Sequence, residues 1–137
     1  MEILTSIYEN YCNRIETTKK NFEFRNFKII SDKGFFIMWV YVPNPVKEIR
    51  YKMTVKNPIC EFDTDVQYNE GNEKFIEIMA NGRKFAYEII ALERIEEPVP
   101  LAIMKKINVN APQNFAYLDN YPHLKEALKK ARTRKIF

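Results

Sequence analysis

Hydrophobic positions recur at two different periods along the chain, and the change of period separates the predicted elements. Apolar residues are spaced three or four apart in Leu4–Ile15, which predicts an amphipathic helix near the start. Thr17 and Thr18 follow, and we expect the helix to end there. In Lys20–Phe27 phenylalanines alternate with charged residues, which predicts a strand with one face buried and the other exposed.

The middle of the chain is rich in strand patterns. Phe35–Val42 is almost entirely apolar, as expected for a strand that is buried on both faces. Val46–Val55 alternates between apolar and polar residues, and a slip of the alternation near Ile49 predicts a β-bulge. Lys84–Ile95 predicts a further long strand, which we expect to end at the Glu-Glu-Pro segment 96–98.

Short helices and a closing helix complete the predicted order. Glu73–Met79 and Leu101–Ile107 predict short helices, and Pro112–Leu118 predicts an extended segment. Tyr121–Arg134 predicts the closing helix, because Pro122 suits a first turn and apolar residues recur along one face. Since the elements show no regular βαβ alternation, we expect an α+β fold in which helices pack on a small mixed or barrel-like antiparallel sheet.

The composition narrows the class of protein. The 137 residues are 46% hydrophobic and 14% aromatic, which predicts a single packed domain over 1–137 and not a disordered chain. The longest uncharged run, Gly34–Val46, is shorter than the roughly 20 residues that a membrane-spanning helix needs. The chain begins without a basic and then apolar leader, so we expect a cytoplasmic protein that makes no membrane contact.

Few residues are suited to metal or nucleophile chemistry. Cys12 and Cys60 are far apart, and His123 is the single histidine. One histidine and two cysteines are too few for a zinc finger or for an enzyme that uses a pair of histidines. We therefore expect neither a metal nor another cofactor.

The positive charge is concentrated near the end of the chain. The net charge is +4, and Lys125–Lys135 contains six basic residues and one acidic residue. Such a segment can attract a polyanion, or it can be a solvated helix face, and the sequence leaves both interpretations open. The candidates for contact with a nucleic-acid backbone are Lys129, Lys130, Arg132 and Arg134.

Several short segments occur in an order that is typical of one known family. They are Lys20–Arg25, Phe36–Tyr41, Pro45–Ile49, Lys84–Ile89, Glu97–Leu101 and Pro112–Leu118. Together they resemble the ASCH branch of the PUA-like superfamily, which is related to the EVE and YTH domains. The resemblance implies a PUA-like bent antiparallel or mixed β-barrel with flanking N- and C-terminal helices. It also implies that the protein binds nucleic acid, with RNA or a modified or extruded nucleotide held in a cleft.

The resemblance also brings in a catalytic alternative. Some ASCH proteins are small amidohydrolases that act on acylated cytidine through a lysine, a threonine three residues later and a distant glutamate. Lys20 stands at the lysine position, but Glu23 replaces the threonine. Lys20 and Glu23 are therefore the candidate catalytic residues of an amidohydrolase or nuclease, while the departure favours binding over catalysis. A regulator or inhibitor that acts through a protein partner, in a bacterium or phage, is a further alternative, and the oligomeric state stays open.

The charged residues of the first predicted strand define the expected site. On a strand, Glu23 and Arg25 point to one face, and Lys20 lies where the strand begins. A carboxylate can accept from an exocyclic amine, a guanidinium can hold a phosphate, and an aromatic ring can stack on an unpaired base. The predicted ligand-binding residues are Lys20, Glu23, Arg25, Tyr41, Asn114, Phe115 and Tyr117. The alternative is that the charged pair only closes the barrel and that the aromatic residues belong to the core.

Overall fold

The computed structural model describes residues 1–17, 20–59 and 85–137. The helix predicted at Glu73–Met79 lies outside these residues. The described strands are β1 (Glu2–Ser6), β2 (Phe22–Arg25), β3 (Phe35–Val42), β4 (Glu48–Lys56), β5 (Phe85–Pro100), β6 (Phe115–Tyr117) and β7 (Thr133–Lys135). The described helices are α1 (Glu9–Glu16), α2 (Leu101–Lys106) and α3 (Pro122–Lys130), with a short 3₁₀ turn at Leu118–Asn120.

The strands form one mixed sheet that curls into a half-barrel flanked by the three described helices. Its order is β2-β5-β4-β3-β1-β6, and β7 pairs with β5 beside β2. β1 runs parallel to β3, and the other described pairs are antiparallel. The expected α+β fold with a bent mixed sheet and flanking helices is therefore confirmed. None of the described helices has the length and apolar character needed to cross a membrane.

The central strands follow the predicted patterns closely. β3 has the predicted bounds, and the register between β4 and β5 shifts between Ile49 and Tyr51, where the alternation predicts a bulge. β5 continues past its predicted end to Pro100, because Val99 and Pro100 pair with the start of β4. Pro98 lies opposite the irregular stretch, where a missing N–H removes no ladder hydrogen bond.

Both ends of the chain differ from the predicted helices. Leu4 lies in β1, and α1 begins only at Glu9. β1 lies between β3 and β6 and is buried on both faces, so its apolar residues show no strand period. At the other end α3 stops at Lys130, and Thr133–Lys135 instead pairs as β7 with Glu93–Ile95. This pairing fills an edge of β5 that would otherwise expose backbone N–H and C=O groups.

The sheet separates two apolar cores. Alternate residues of β3 point to opposite faces, so Met38 and Val40 enter one core while Trp39 and Tyr41 enter the other. α1 covers the first core, and α2 and α3 cover the second. The buried side chains of these helices are Cys12 and Ile15 in α1, Met104 in α2, and Leu124 and Leu128 in α3.

Candidate functional site

A cleft of about 310 Å³ opens between the β1–α1 connection, β2 and the segment before β6. Its lining residues are Ser6, Ile7, Tyr8, Tyr11, Glu23, Phe24, Arg25, Asn26, Gln113 and Asn114. The pairing of β1 with β6 brings the first and last of these segments together. Thr5 Oγ1 donates to the Asn114 carbonyl oxygen at 2.8 Å, and Ser6 Oγ donates to the Pro112 carbonyl oxygen at 2.7 Å. The mouth of the cleft is thus held by hydrogen bonds to the backbone.

A buried carboxylate lies between two cations at this cleft. Phe22 and Phe24 pack in a small apolar cluster, so the alternation of β2 places Glu23 and Arg25 on the other face. Lys20 Nζ lies 2.8 Å from Glu23 Oε2, and Arg25 Nε lies 3.3 Å from Glu23 Oε1. Glu23 is only 5% exposed, and both of its oxygens lie next to a cation. The predicted convergence of these three residues is therefore present.

Lys20 lies behind Glu23 and is not one of the lining residues. Its backbone N–H donates to the Arg14 carbonyl oxygen at 3.3 Å, which ties it to the end of α1. Its Nζ also lies 5.3 Å from the centre of the Tyr11 ring. The prediction that Lys20 lines the mouth is corrected by this arrangement, because the amine is covered by an aromatic ring and hydrogen-bonded to a carboxylate. Lys20 can orient Glu23, and it is poorly placed to act as a free base.

Arg25 connects the two sides of the half-barrel. β2 and β1 are separated in the sheet by β5, β4 and β3, yet Arg25 Nη2 donates to the Ser6 carbonyl oxygen at 2.6 Å. Phe27 and Phe115 make a second contact across the same opening, with ring centres 4.6 Å apart. Arg25 Nε is buried and makes no hydrogen bond within the described residues, because its N–H is poorly aligned with the Glu23 carboxylate. At the cleft, the two edges of the curled sheet are therefore connected, among the described residues, by side-chain contacts and not by strand pairing.

Two tyrosines of the cleft are not predicted from the sequence pattern. Tyr8 is 63% exposed and Tyr11 is 39% exposed, so both side chains are open to solvent. Their three-residue spacing fits an apolar helix stripe, and that is how the sequence pattern assigns them. The guanidinium of Arg14 lies 5.9 Å from the centre of the Tyr11 ring. The structure buries Cys12 and Ile15 of this predicted stripe and leaves Tyr8 and Tyr11 at the surface.

Three predicted aromatic or edge positions lie outside the cleft. Tyr41 is 3% exposed and packs in the second core beside Trp39, and burial raises the pKa of its hydroxyl. Phe115 packs against Phe27 and the first core, and Tyr117 meets Phe115 edge-on at 5.3 Å outside the cleft. The expectation that these three residues line the site is therefore corrected. Asn114 of the same segment does line it.

The cysteine nearest the cleft is a buried thiol. Cys12 Sγ lies 3.6 Å from the Ile7 carbonyl oxygen. Burial, and then the Glu23 carboxylate, raise the pKa of the Cys12 thiol from 9.0 to about 12, so it is not a thiolate at neutral pH. In the described ranges no three His, Cys, Asp or Glu side chains are grouped to hold a metal ion.

The basic residues near the end of the chain are exposed, but they do not share one helix. Lys129 and Lys130 end α3, Arg132 follows it, and Arg134 lies in β7 opposite Arg94. Lys130 Nζ lies 3.4 Å from Glu126 Oε1. We call Lys129, Lys130, Arg132 and Arg134 the basic tail. Part of it borders a second groove of about 720 Å³, whose other walls include Glu96 and Glu97. The basic helix face expected from the sequence is thus divided and interleaved with acids.

The comparisons with known proteins give one consistent result. No family model matches the chain, and no curated protein matches it. Among solved structures, the chain is similar to the ASCH protein from Zymomonas mobilis, with a TM-score of 0.67 and 17% sequence identity over 96% of each chain. Two single-substitution variants of that protein match equally, with TM-scores of 0.67 and 0.66. At this identity the likeness is one of architecture, and the chain has the fold of an ASCH domain.

Proposed function

We propose that the cleft binds one unpaired nucleotide of RNA. The observation that carries the proposal is the composition of its walls. Two exposed tyrosines, Tyr8 and Tyr11, share a cleft with a buried carboxylate, Glu23, and a guanidinium, Arg25. Aromatic faces with a charged hydrogen-bonding group beside them are what single-stranded nucleic-acid sites combine.

The exposed Tyr8 ring would supply most of the affinity. Stacking of a base on an aromatic side chain is worth about 1–3 kcal/mol per base and depends little on sequence. Tyr8 is the most exposed large hydrophobic side chain of the described residues, so it can meet a base without prior rearrangement of the core. The volume of about 310 Å³ is at the lower limit of ligand pockets, which favours one base over several.

The polar walls would orient that base. Glu23 can accept hydrogen bonds from base N–H groups, and Gln113 and Asn114 place amides at the exposed rim. An amide can both donate to and accept from a ribose 2′-hydroxyl, and this group distinguishes RNA from DNA. A base paired inside a duplex would not present its hydrogen-bonding edge, so the proposal requires a single-stranded or extruded nucleotide.

The basic tail would add attraction that is independent of sequence. Its four side chains are exposed and can approach phosphates, with a contribution that falls as salt rises. The interleaved acids Glu96, Glu97 and Glu126 make this a secondary contribution.

The test is fluorescence-anisotropy titration of labelled single-stranded RNA, single-stranded DNA and duplex DNA at two salt concentrations. Wild type is compared with Arg25→Ala and with a variant that lacks the basic tail. Arg50→Ala is the matched control, because the Arg50 and Arg25 side chains are both 16% exposed and ion-paired, while Arg50 lies outside the cleft lining. We expect Arg25→Ala to weaken RNA binding at least tenfold more than Arg50→Ala.

Two results would count against the proposal. Equal losses in Arg25→Ala and Arg50→Ala would assign Arg25 a purely structural role. Absence of binding to every nucleic acid at low salt would remove the proposed function, and capture of a protein partner would then become the next experiment.

A further inference from the structure

The Arg25 guanidinium has donors in the cleft that the fold does not use. A guanidinium carries five N–H donors in one plane. Nη2 donates to the Ser6 carbonyl oxygen at 2.6 Å, and Nε is buried and lies 3.3 Å from Glu23 Oε1. Within the described residues Nη1 makes no hydrogen bond, and Arg25 lines the cleft. The two N–H groups of Nη1 can therefore donate to a ligand.

The charges beside Arg25 leave a positive balance on this wall of the cleft. Glu23 is the single acid among the described lining residues, and its second oxygen lies 2.8 Å from Lys20 Nζ. Two cations and one carboxylate sum to a formal charge of +1. Because the three side chains are largely buried, salt screens this charge less than it screens a charge on an open surface. The wall therefore attracts an anion.

Three amide side chains extend this set of donors along the rim. Asn26 follows Arg25 at the end of β2, and Gln113 and Asn114 precede β6 on the opposite side of the cleft. All three are exposed, and an amide can donate to an anionic oxygen. The non-bridging oxygens of a phosphate only accept hydrogen bonds, and they are commonly bound by guanidinium and amide donors together.

The exposed ring of the cleft is close to this guanidinium along the chain. Arg25 contacts the Ser6 carbonyl oxygen, and Tyr8 is two residues further on in an extended conformation, with φ −62° and ψ 148°. Two residues of chain span at most about 7 Å. A nucleotide whose base stacks on Tyr8 can therefore bring its own 5′ or 3′ phosphate to Arg25.

We infer that Arg25 holds one phosphate next to the stacked base, through hydrogen bonds from Nη1 to the non-bridging oxygens. The Nη2 contact with Ser6 already restricts the guanidinium, so little side-chain freedom is lost when the phosphate binds. This inference rests on the proposed function and adds the group that anchors the nucleotide. Phosphate contacts carry no direct base information, so affinity depends strongly on one linkage and little on which base is stacked.

The first experiment neutralises single phosphates of a ligand whose register is fixed. A labelled oligomer carries one uridine among abasic sugars, so that only this nucleotide can stack on Tyr8. One linkage at a time is replaced by a methylphosphonate, which keeps the shape of the phosphate and removes its charge. Where the neutral linkage follows the uridine, that sugar is 2′-deoxy in the test oligomer and in its phosphodiester reference, because a 2′-hydroxyl would cleave the linkage.

The expected pattern in wild type is one sensitive position. Loss of a hydrogen bond to a charged group corresponds to about a tenfold or greater loss of affinity. We expect this loss when one of the two linkages next to the uridine is neutral, and a smaller loss at every distant linkage.

The second experiment asks whether the sensitive linkage acts through Arg25. In Arg25→Gln the phosphate has no guanidinium to meet, so neutralising the same linkage should cost less than twofold. Arg50→Gln is the matched control, because the Arg50 side chain is also 16% exposed and ion-paired but lies outside the cleft lining. It should keep the full tenfold loss.

The outcomes separate the inference from the proposed function. Equal sensitivity of all linkages in wild type, or of none, would overturn the phosphate contact while nucleotide binding stands. A tenfold loss that persists in Arg25→Gln would overturn it as well. No binding of an all-phosphodiester oligouridine at low salt would overturn both. If Arg25→Gln does not fold, the pattern of linkages in wild type decides alone.

Discussion

The buried ion pair between Lys20 and Glu23 should contribute far more to the free energy of unfolding than an exposed ion pair of the same length. Lys20→Met keeps most of the side-chain volume and removes the charge. The two side chains are 9% and 7% exposed, so removal of the amine leaves a buried carboxylate with Arg25 as its remaining described cation. Loss of one partner from a buried pair costs about 3–5 kcal/mol. Since Arg25 still compensates part of the charge, we expect Lys20→Met to lower the free energy of unfolding by about 3 kcal/mol.

The chain supplies a matched control for this change. Lys56 and Glu88 are also 2.8 Å apart, but their side chains are 58% and 36% exposed. An exposed pair contributes about 0–1 kcal/mol, so Lys56→Met should have a small effect. The free energy of unfolding is measured by urea denaturation followed by circular dichroism. For a domain of this size, 3 kcal/mol corresponds to a fall in melting temperature of about 10 °C.

The comparison can refute the reasoning directly. If Lys20→Met and Lys56→Met lower the free energy of unfolding equally, burial does not determine how much an ion pair contributes to stability. A loss below about 1 kcal/mol for Lys20→Met would mean that the Glu23 carboxylate is solvated by water when the amine is absent. Either result would also weaken the assignment of Glu23 as a fixed acceptor in the cleft.

Three further predictions concern the cleft and its surroundings. Tyr8→Ala should weaken RNA binding about tenfold by anisotropy with little change in melting temperature, whereas Tyr117→Ala, which removes a ring 42% exposed outside the cleft, should leave affinity unchanged. Because the folded-state pKa of Cys12 is raised from 9.0 to about 12, its contribution to stability is complete below about pH 9 and is lost as the pH rises toward 12. In a Cys60→Ser background, the free energy of unfolding should therefore fall more steeply above pH 9 than it does after Cys12→Ala, and parallel curves would contradict this. Removal of the basic tail should flatten the plot of log affinity against log salt by roughly 0.7 for each phosphate that the tail neutralises in the wild type, and an unchanged slope would show that it neutralises none.

The central strands could be predicted because the order of apolar and polar residues within each strand indicates which faces are buried. Phe35–Val42 is apolar throughout, and the structure places β3 at these residues. The alternation of β2 likewise predicted that Glu23 and Arg25 share a face. β1 and β7 could not be predicted in this way. β1 is a short strand buried on both faces, and β7 forms only because Glu93–Ile95 lies beside it in space.

The candidate site was predictable in its charged part and not in its aromatic part. Glu23 and Arg25 could be identified from the sequence because they alternate with phenylalanines. The aromatic wall depends on where α1 begins: the pattern placed Tyr8 inside a helix, and the structure places it at the N-terminal boundary. Tyr41 failed as a candidate because the alternation of β3 sends it to the second core with Trp39. Which apolar-looking residue is left exposed is decided by tertiary packing, which a single sequence does not display.

The position of the cleft follows from how the sheet closes. A sheet that curls without completing a barrel has two edges, and here β2 lies near one edge while β1 and β6 lie at the other. No strand pairing joins these edges among the described residues, so side chains do: Arg25 reaches the Ser6 carbonyl oxygen, and Phe27 meets Phe115. Side chains fill such an opening less completely than a ladder does, and the space that remains is the cleft. Arg25 therefore helps to close the sheet, and under the proposed function a ligand that contacts it should also hold the two edges together.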